Sequence, residues 1–105
     1  MALLLDACEA IGGIDLAVID GTYTYSPASG EGIETNVLLV GRDAVAVEAV
    51  GTTLAGLEPE KVPVIQEAMK RGLGEGDLDR IEVVGEPFET MRENIRLLLK
   101  AHKKK

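Results

Sequence analysis

The chain has no tryptophan, one phenylalanine, two tyrosines, one histidine and one cysteine among 105 residues. With aromatics at 3% it lacks the stacking platforms that give single-strand nucleic-acid binders much of their affinity. Positive charge is short as well. Eleven Lys and Arg face eighteen Asp and Glu, leaving a net charge of −7, which is unsuited to neutralising duplex phosphates. The basic residues that end the chain, Lys100 and Lys103 to Lys105, are too few and too terminal to reverse this, so no nucleic-acid partner is expected.

Cys8 stands alone, which excludes an internal disulfide and any thiolate-built zinc or iron–sulfur site within one chain. A reduced, cytoplasmic setting is the expectation. His102 is the single histidine and falls in a basic tail, 101–105, read as frayed. No Ser/His/Asp or Cys/His arrangement can be built from it, and acid–base work would fall to carboxylates or tyrosines. No apolar run reaches the length of a membrane span. The opening MALLLDACEA lacks a basic start and is interrupted by Asp6, so no membrane partner is expected either. Asn36, Asn94 and Gln66 are the only side-chain amides beside plentiful Glu, Lys and Arg, a bias seen in thermophile proteins.

What is present is a globular composition, 46% hydrophobic, sufficient for one domain, 1–105, with a core of Val, Ile, Leu and Ala. The chain is organised around Thr35 to Leu57. Val37 to Val40 form an apolar block without polar alternation, which suits a strand covered on both faces. Gly41-Arg42-Asp43 breaks the run, and Asp43 is placed to cap a helix by accepting from backbone N–H groups one turn on. Ala44, Val47, Val50 and Leu54 follow at helical spacing, with Ala46, Ala49, Gly51 and Ala55 leaving room for close packing. A β-hairpin through VLLV-GRD-AVAVEAV is the competing reading. The helix is preferred because the pattern runs on past Gly51 to Leu54.

In chain order, Leu4, Cys8 and Ile11 mark a short amphipathic helix over 2–11 that ends at Gly12-Gly13, with Cys8 read as a small buried hydrophobe. Residues 14–19 read as a strand. Residues 20–34 read as a long loop rich in Gly, Ser, Thr and Pro, of a length that is usually functional or mobile. Two accounts of it stand side by side. It is a solvated excursion whose tyrosines fold back over the sheet end, or it contacts a ligand, its glycines admitting an anion or carboxylate. It carries neither the ending of a P-loop nor a dinucleotide fingerprint. Pro63 opens a second helix with Val62, Ile65, Met69 and Leu73 on one stripe. Ile81, Val83 and Val84 read as a short strand, parallel to 36–40 across the helical crossover. Thr90-Met91-Arg92-Glu93 has capping-box spacing, and Phe88, Met91, Ile95, Leu98 and Leu99 form an apolar face on the last helix. The expected fold is α/β: a small mixed or parallel sheet of about three strands with helices packed on it.

The run from Leu16 to Gly85, about two thirds of the chain, resembles the C-terminal part of the DUF362 family, proteins of unknown activity that often accompany iron–sulfur ferredoxin-like segments. The resemblance rests on AVIDG at 17–21, SPASG at 26–30, VLLVGRDAVAVEAVGTTLAGLEPEKV at 37–62, RGLG at 71–74 and IEVVG at 81–85. The family pattern has an aspartate after the first strand, a Gly-Pro-x-x-G loop, and an Asp-Pro-V-A-x-D-A-V helix start followed by a G-x-x-P turn. Asp20, Pro27, Gly30, Asp43, Gly56 and Pro59 match it. Ser26 replaces the loop glycine, Ala44 the proline and Glu48 the second aspartate. Family proteins are longer, and this chain begins where their second half would, so it is expected to be a shortened relative or a fragment. The cysteine clusters of some members are absent, and an electron-transfer role could not be performed by this chain alone.

Asp20, Asp43 and Glu48 are the acids of interest. If the strands before Asp20 and Asp43 were parallel neighbours, both carboxylates would lie at one sheet edge, where open α/β folds place ligands. Such oxygen donors suit Mg²⁺ or Ca²⁺. Asp43 and Glu48 are five helix positions and about 140° apart, so a metal shared by those two needs a distorted first turn. The candidate ligand-binding set is Asp20, Gly21, Tyr23, Tyr25, Ser26, Gly30 and Asp43, with Asp20 and Asp43 as metal ligands and no cofactor held by the chain alone. Two functions compete. One is a small non-catalytic subunit or regulatory domain acting by association, as a homo-oligomer or with a partner subunit; the missing half, Ser26 and the lack of a nucleophile favour it. The other is a ligand- or divalent-metal-binding domain, catalytic or not, using the 20–34 loop and the Gly41–Asp43 helix start.

Overall fold

A computed structural model describes residues 2–25 and 30–103. Helix α1 (Ala2–Ala10) leads into the antiparallel strands β1 (Ala17–Tyr25) and β2 (Gly32–Gly41). Helices α2 (Ala44–Leu54), α3 (Pro63–Lys70) and α4 (Phe88–Lys103) follow, with single 3₁₀ turns at Pro59–Lys61 and Leu78–Arg80. None of the described helices is long and apolar enough to cross a membrane.

The α/β class and the helical reading of 44–54 hold, and α2 is the centre of the molecule. Its Val45 joins Leu5, Ile65 and Ala68 in a cluster between α1 and α3. Its Val50 and Leu54 join Ile95 of α4 in a second cluster, against which Val37 and Leu39 of β2 pack. Helix and sheet approach closely because Gly51 is bare: a Cβ there would stand 2.8 Å from Ile19 Cδ1.

The sheet departs from expectation. It has two strands, antiparallel, with Ala17 opposite Gly41, Val18 opposite Val40 and Asp20 opposite Leu38. The connection between β1 and β2 is too short for the crossover that parallel strands require. Most of the expected 20–34 loop is strand, because Thr22, Tyr23, Thr24 and Tyr25 favour extended backbone. Gly21 faces Val37 and Tyr23 faces Glu34, so Thr35 and Asn36 together oppose Thr22. This is a β-bulge, and Asn36 takes the left-handed conformation, φ 51°, that Asn tolerates better than most residues.

No third strand forms among the described residues. Ile81 and Val83 do pack on the α2–α4 cluster, and Ile81 is extended, but 81–84 makes no ladder with β2. The segment is short and pinned at both ends. Ile81 closes the 3₁₀ turn capped by Asp77, and Gly85 to Pro87 turn away into α4. The capping box at Thr90 is likewise absent: α4 begins at Phe88, with Met91 N–H donating to the Pro87 carbonyl at 3.1 Å, which places Thr90 inside the first turn. Pro63 opens α3 as expected, and α4 continues to Lys103, into the stretch read as a tail.

Candidate functional site

Asp43 is the best-anchored of the acids. Its Oδ1 accepts from the Val45 and Ala46 N–H groups, each at 3.0 Å, capping α2. Its Oδ2 accepts from Glu75 N–H at 2.9 Å, tying the helix start to the loop after α3. Gly74 makes this possible, since a Cβ there would collide with Asp43 Oδ1 and with Val45. Both oxygens therefore already hold backbone donors.

Asp20 lies on the exposed side of β1. Its Oδ1 accepts from the Thr22 hydroxyl at 2.6 Å and the Thr22 N–H at 3.0 Å. Those two bonds, the hydroxyl first, hold its carboxyl below the ordinary value of 3.8.

The antiparallel register separates these two acids. Asp20 stands opposite Leu38, and the three steps from Leu38 to Gly41 already span about 10 Å before the chain reaches Asp43. A shared cation would need both carboxylates within about 2.6 Å. Among the described residues no group of three or more His, Cys, Asp or Glu is arranged to hold a metal. Glu48 is exposed on α2. An iron–sulfur cluster requires several thiolates, and Cys8 by itself does not fit that group.

The rest of the predicted set is dispersed along the hairpin. Gly21 takes part in the strand pairing opposite Val37, and its carbonyl accepts from the buried Thr35 hydroxyl at 2.6 Å. That hydroxyl also meets Thr24 Oγ1 at 2.9 Å. Tyr23 and Tyr25 are exposed strand residues, and Gly30 has φ 72°. Ser26 lies outside the described residues. Hollows lie elsewhere among the described residues. A groove of about 530 Å³ runs between β2 and the 80–86 segment, with Arg42, Arg80 and Glu82 among its walls. An apolar hollow of about 210 Å³ lies between α1, α2 and α3, with half-buried Cys8 in its wall.

The feature that the sequence reading missed is the outer face of the hairpin. Ile19, Val37 and Leu39 point inward toward α2 and the core. On the opposite face Leu16, Val18, Leu38 and Val40 are 60%, 55%, 66% and 58% exposed. Val18 and Val40 are direct cross-strand partners. Asp20 stands beside Leu38 at one end of this patch. Continuing the register one residue beyond Ala17 and Gly41 sets Leu16 level with Arg42 at the other end. Arg42 is exposed and forms no ion pair among the described residues. Compared with protein-family models, with curated proteins and with solved structures, the chain matches none.

Proposed function

We propose that this chain is a non-catalytic association module, a small subunit or regulatory domain related to DUF362 proteins, which works by docking the outer face of its hairpin on another protein surface. The supporting observation is the row Leu16, Val18, Leu38 and Val40, four large aliphatic side chains left open to water on one side of a two-stranded sheet. A two-stranded hairpin is marginal alone and is stabilised by packing against a helix, and apolar side chains on its other face gain further by being taken out of water. Helix α2 covers one face, and a contiguous exposed apolar patch on the other is the usual mark of an interaction surface. The relation to DUF362 proteins rests on the matched sequence words alone.

The test is native mass spectrometry and light scattering on chelator-free protein, with and without Mg²⁺, Ca²⁺ or phosphate. The association reading expects an assembly mass that the Leu38→Lys/Val40→Lys variant loses while keeping its helical circular dichroism. A stoichiometric added mass that disappears in Asp20→Ala would replace it with the ligand-binding reading.

A further inference from the structure

The outer face is bounded by charges of opposite sign at diagonal corners. Asp20 on β1 stands opposite Leu38 at one end, and Arg42, exposed in the bend just past β2, falls level with Leu16 at the other when the register is continued by one residue. Leu16, Val18, Leu38 and Val40 lie between them. A surface with an apolar centre, an acid at one corner and a base at the diagonal corner is complementary to itself under a twofold rotation about an axis in the face, at right angles to that diagonal and so close to perpendicular to the strands. That rotation reverses the strand direction of the second copy and brings its acidic end over the basic end of the first. The alternative twofold, parallel to the strands, would set Asp20 against Asp20. A twofold interface is the commonest arrangement among homo-oligomers, and opposed charges at its ends select one orientation.

We infer that the outer hairpin face is covered by a second copy of this chain, packed sheet to sheet with strands antiparallel, so that Asp20 of each copy meets Arg42 of the other. This rests on the association reading and adds its partner. Facing sheets stand about 10 Å apart, a gap that the apolar side chains fill and that an arginine side chain at the rim can span. The arrangement uses both corner groups as they stand. Asp20 Oδ2 makes no hydrogen bond among the described residues, its Oδ1 being the atom held by Thr22. The face is two strands wide, about 10 Å by 20 Å, below the area of a permanent dimer, so the dimer is reversible and concentration-dependent.

Sedimentation equilibrium of the whole chain from micromolar to about millimolar, at low and moderate salt, tests this with five variants. Asp20→Lys and Arg42→Glu each place like charges at both ends of the interface and should weaken dimerisation about tenfold. The double variant Asp20→Lys/Arg42→Glu restores the opposed pairs and should return the dissociation constant to within about threefold of the starting chain. Asp20→Asn, which keeps an acceptor for Thr22, should show an intermediate loss that salt diminishes. Leu38→Lys/Val40→Lys should remain monomeric. A dimer that Leu38→Lys/Val40→Lys dissociates but that ignores both charge reversals overturns the antiparallel arrangement and leaves the docking face standing. A dimer indifferent to every variant overturns the face as well. A chain monomeric throughout overturns the second-copy inference, while the association reading then depends on a different partner.

Discussion

Asp43 shows how one carboxylate can look like a ligand and serve as a joint. The cap on α2 was legible from Gly41-Arg42-Asp43 preceding a helical pattern. The bond to Glu75 N–H, made by a residue far along the chain, was not, because it depends on how the loop after α3 returns. Asp43→Ala removes all three hydrogen bonds and should cost about 2 kcal/mol, read as a lower urea midpoint with unchanged slope. At Asp20 the structure gives a local pair with Thr22. Because the folded pKa lies below the ordinary 3.8, the stabilisation that Thr22 lends is fully present above that value and is lost as pH falls through the folded pKa. In Thr22→Val the Asp20 titration, followed by NMR, should move up toward 3.8. An unmoved titration would show that the Thr22 hydroxyl bond is not what lowers it.

Among the elements, helix α2 was readable because its apolar period, cap and length agree. The strands were readable in position but not in partnership. A crossover suggests parallel pairing of 36–40 with 81–84, whereas the short Tyr25-to-Gly32 connection enforces an antiparallel hairpin of β1 with β2, and 81–84 packs on the α2–α4 cluster through Ile81 and Val83 without strand pairing. No local signal marks the Thr35–Asn36 bulge, which comes from the match between two strands. Helix α1 is clamped to α3 by Arg71, whose guanidinium donates to Asp6 at 2.8 Å, Glu9 at 3.1 Å and Glu67 at 3.4 Å. The bonds to Asp6 and then Glu9 raise its pKa further above the usual arginine range. Arg71→Ala should speed hydrogen exchange in α1 several-fold while leaving α2 amides unchanged. Gly74→Ala acts where α2 meets the loop after α3. Its Cβ would press on the Asp43 cap and on Val45, whose Cβ and Cγ2 would each lie 2.8 Å away, and overpacking of this kind costs about 1–3 kcal/mol. Thermal denaturation with circular dichroism should show the loss.

At the scale of the whole molecule, the chain builds two small clusters on either side of α2 and leaves one side of its hairpin bare. The uninterrupted Val37–Val40 block already implied a strand covered on both faces. What the sequence could not supply is which cover comes from within the chain: α2 provides one and the described residues leave the other exposed. The charges that bound this face are visible in the sequence as single residues, yet the sequence places Arg42 only in a turn and Asp20 only among candidate ligands, because their shared face exists only once the hairpin register is known. The most direct test is a dilution series of amide NMR spectra on the native chain. The account predicts concentration-dependent shifts concentrated at residues 16–20 and 38–42, absent in Leu38→Lys/Val40→Lys. Shifts that instead gather on α1 around Leu3 and Leu4, or on α4 around Leu97 and Leu98, would contradict it.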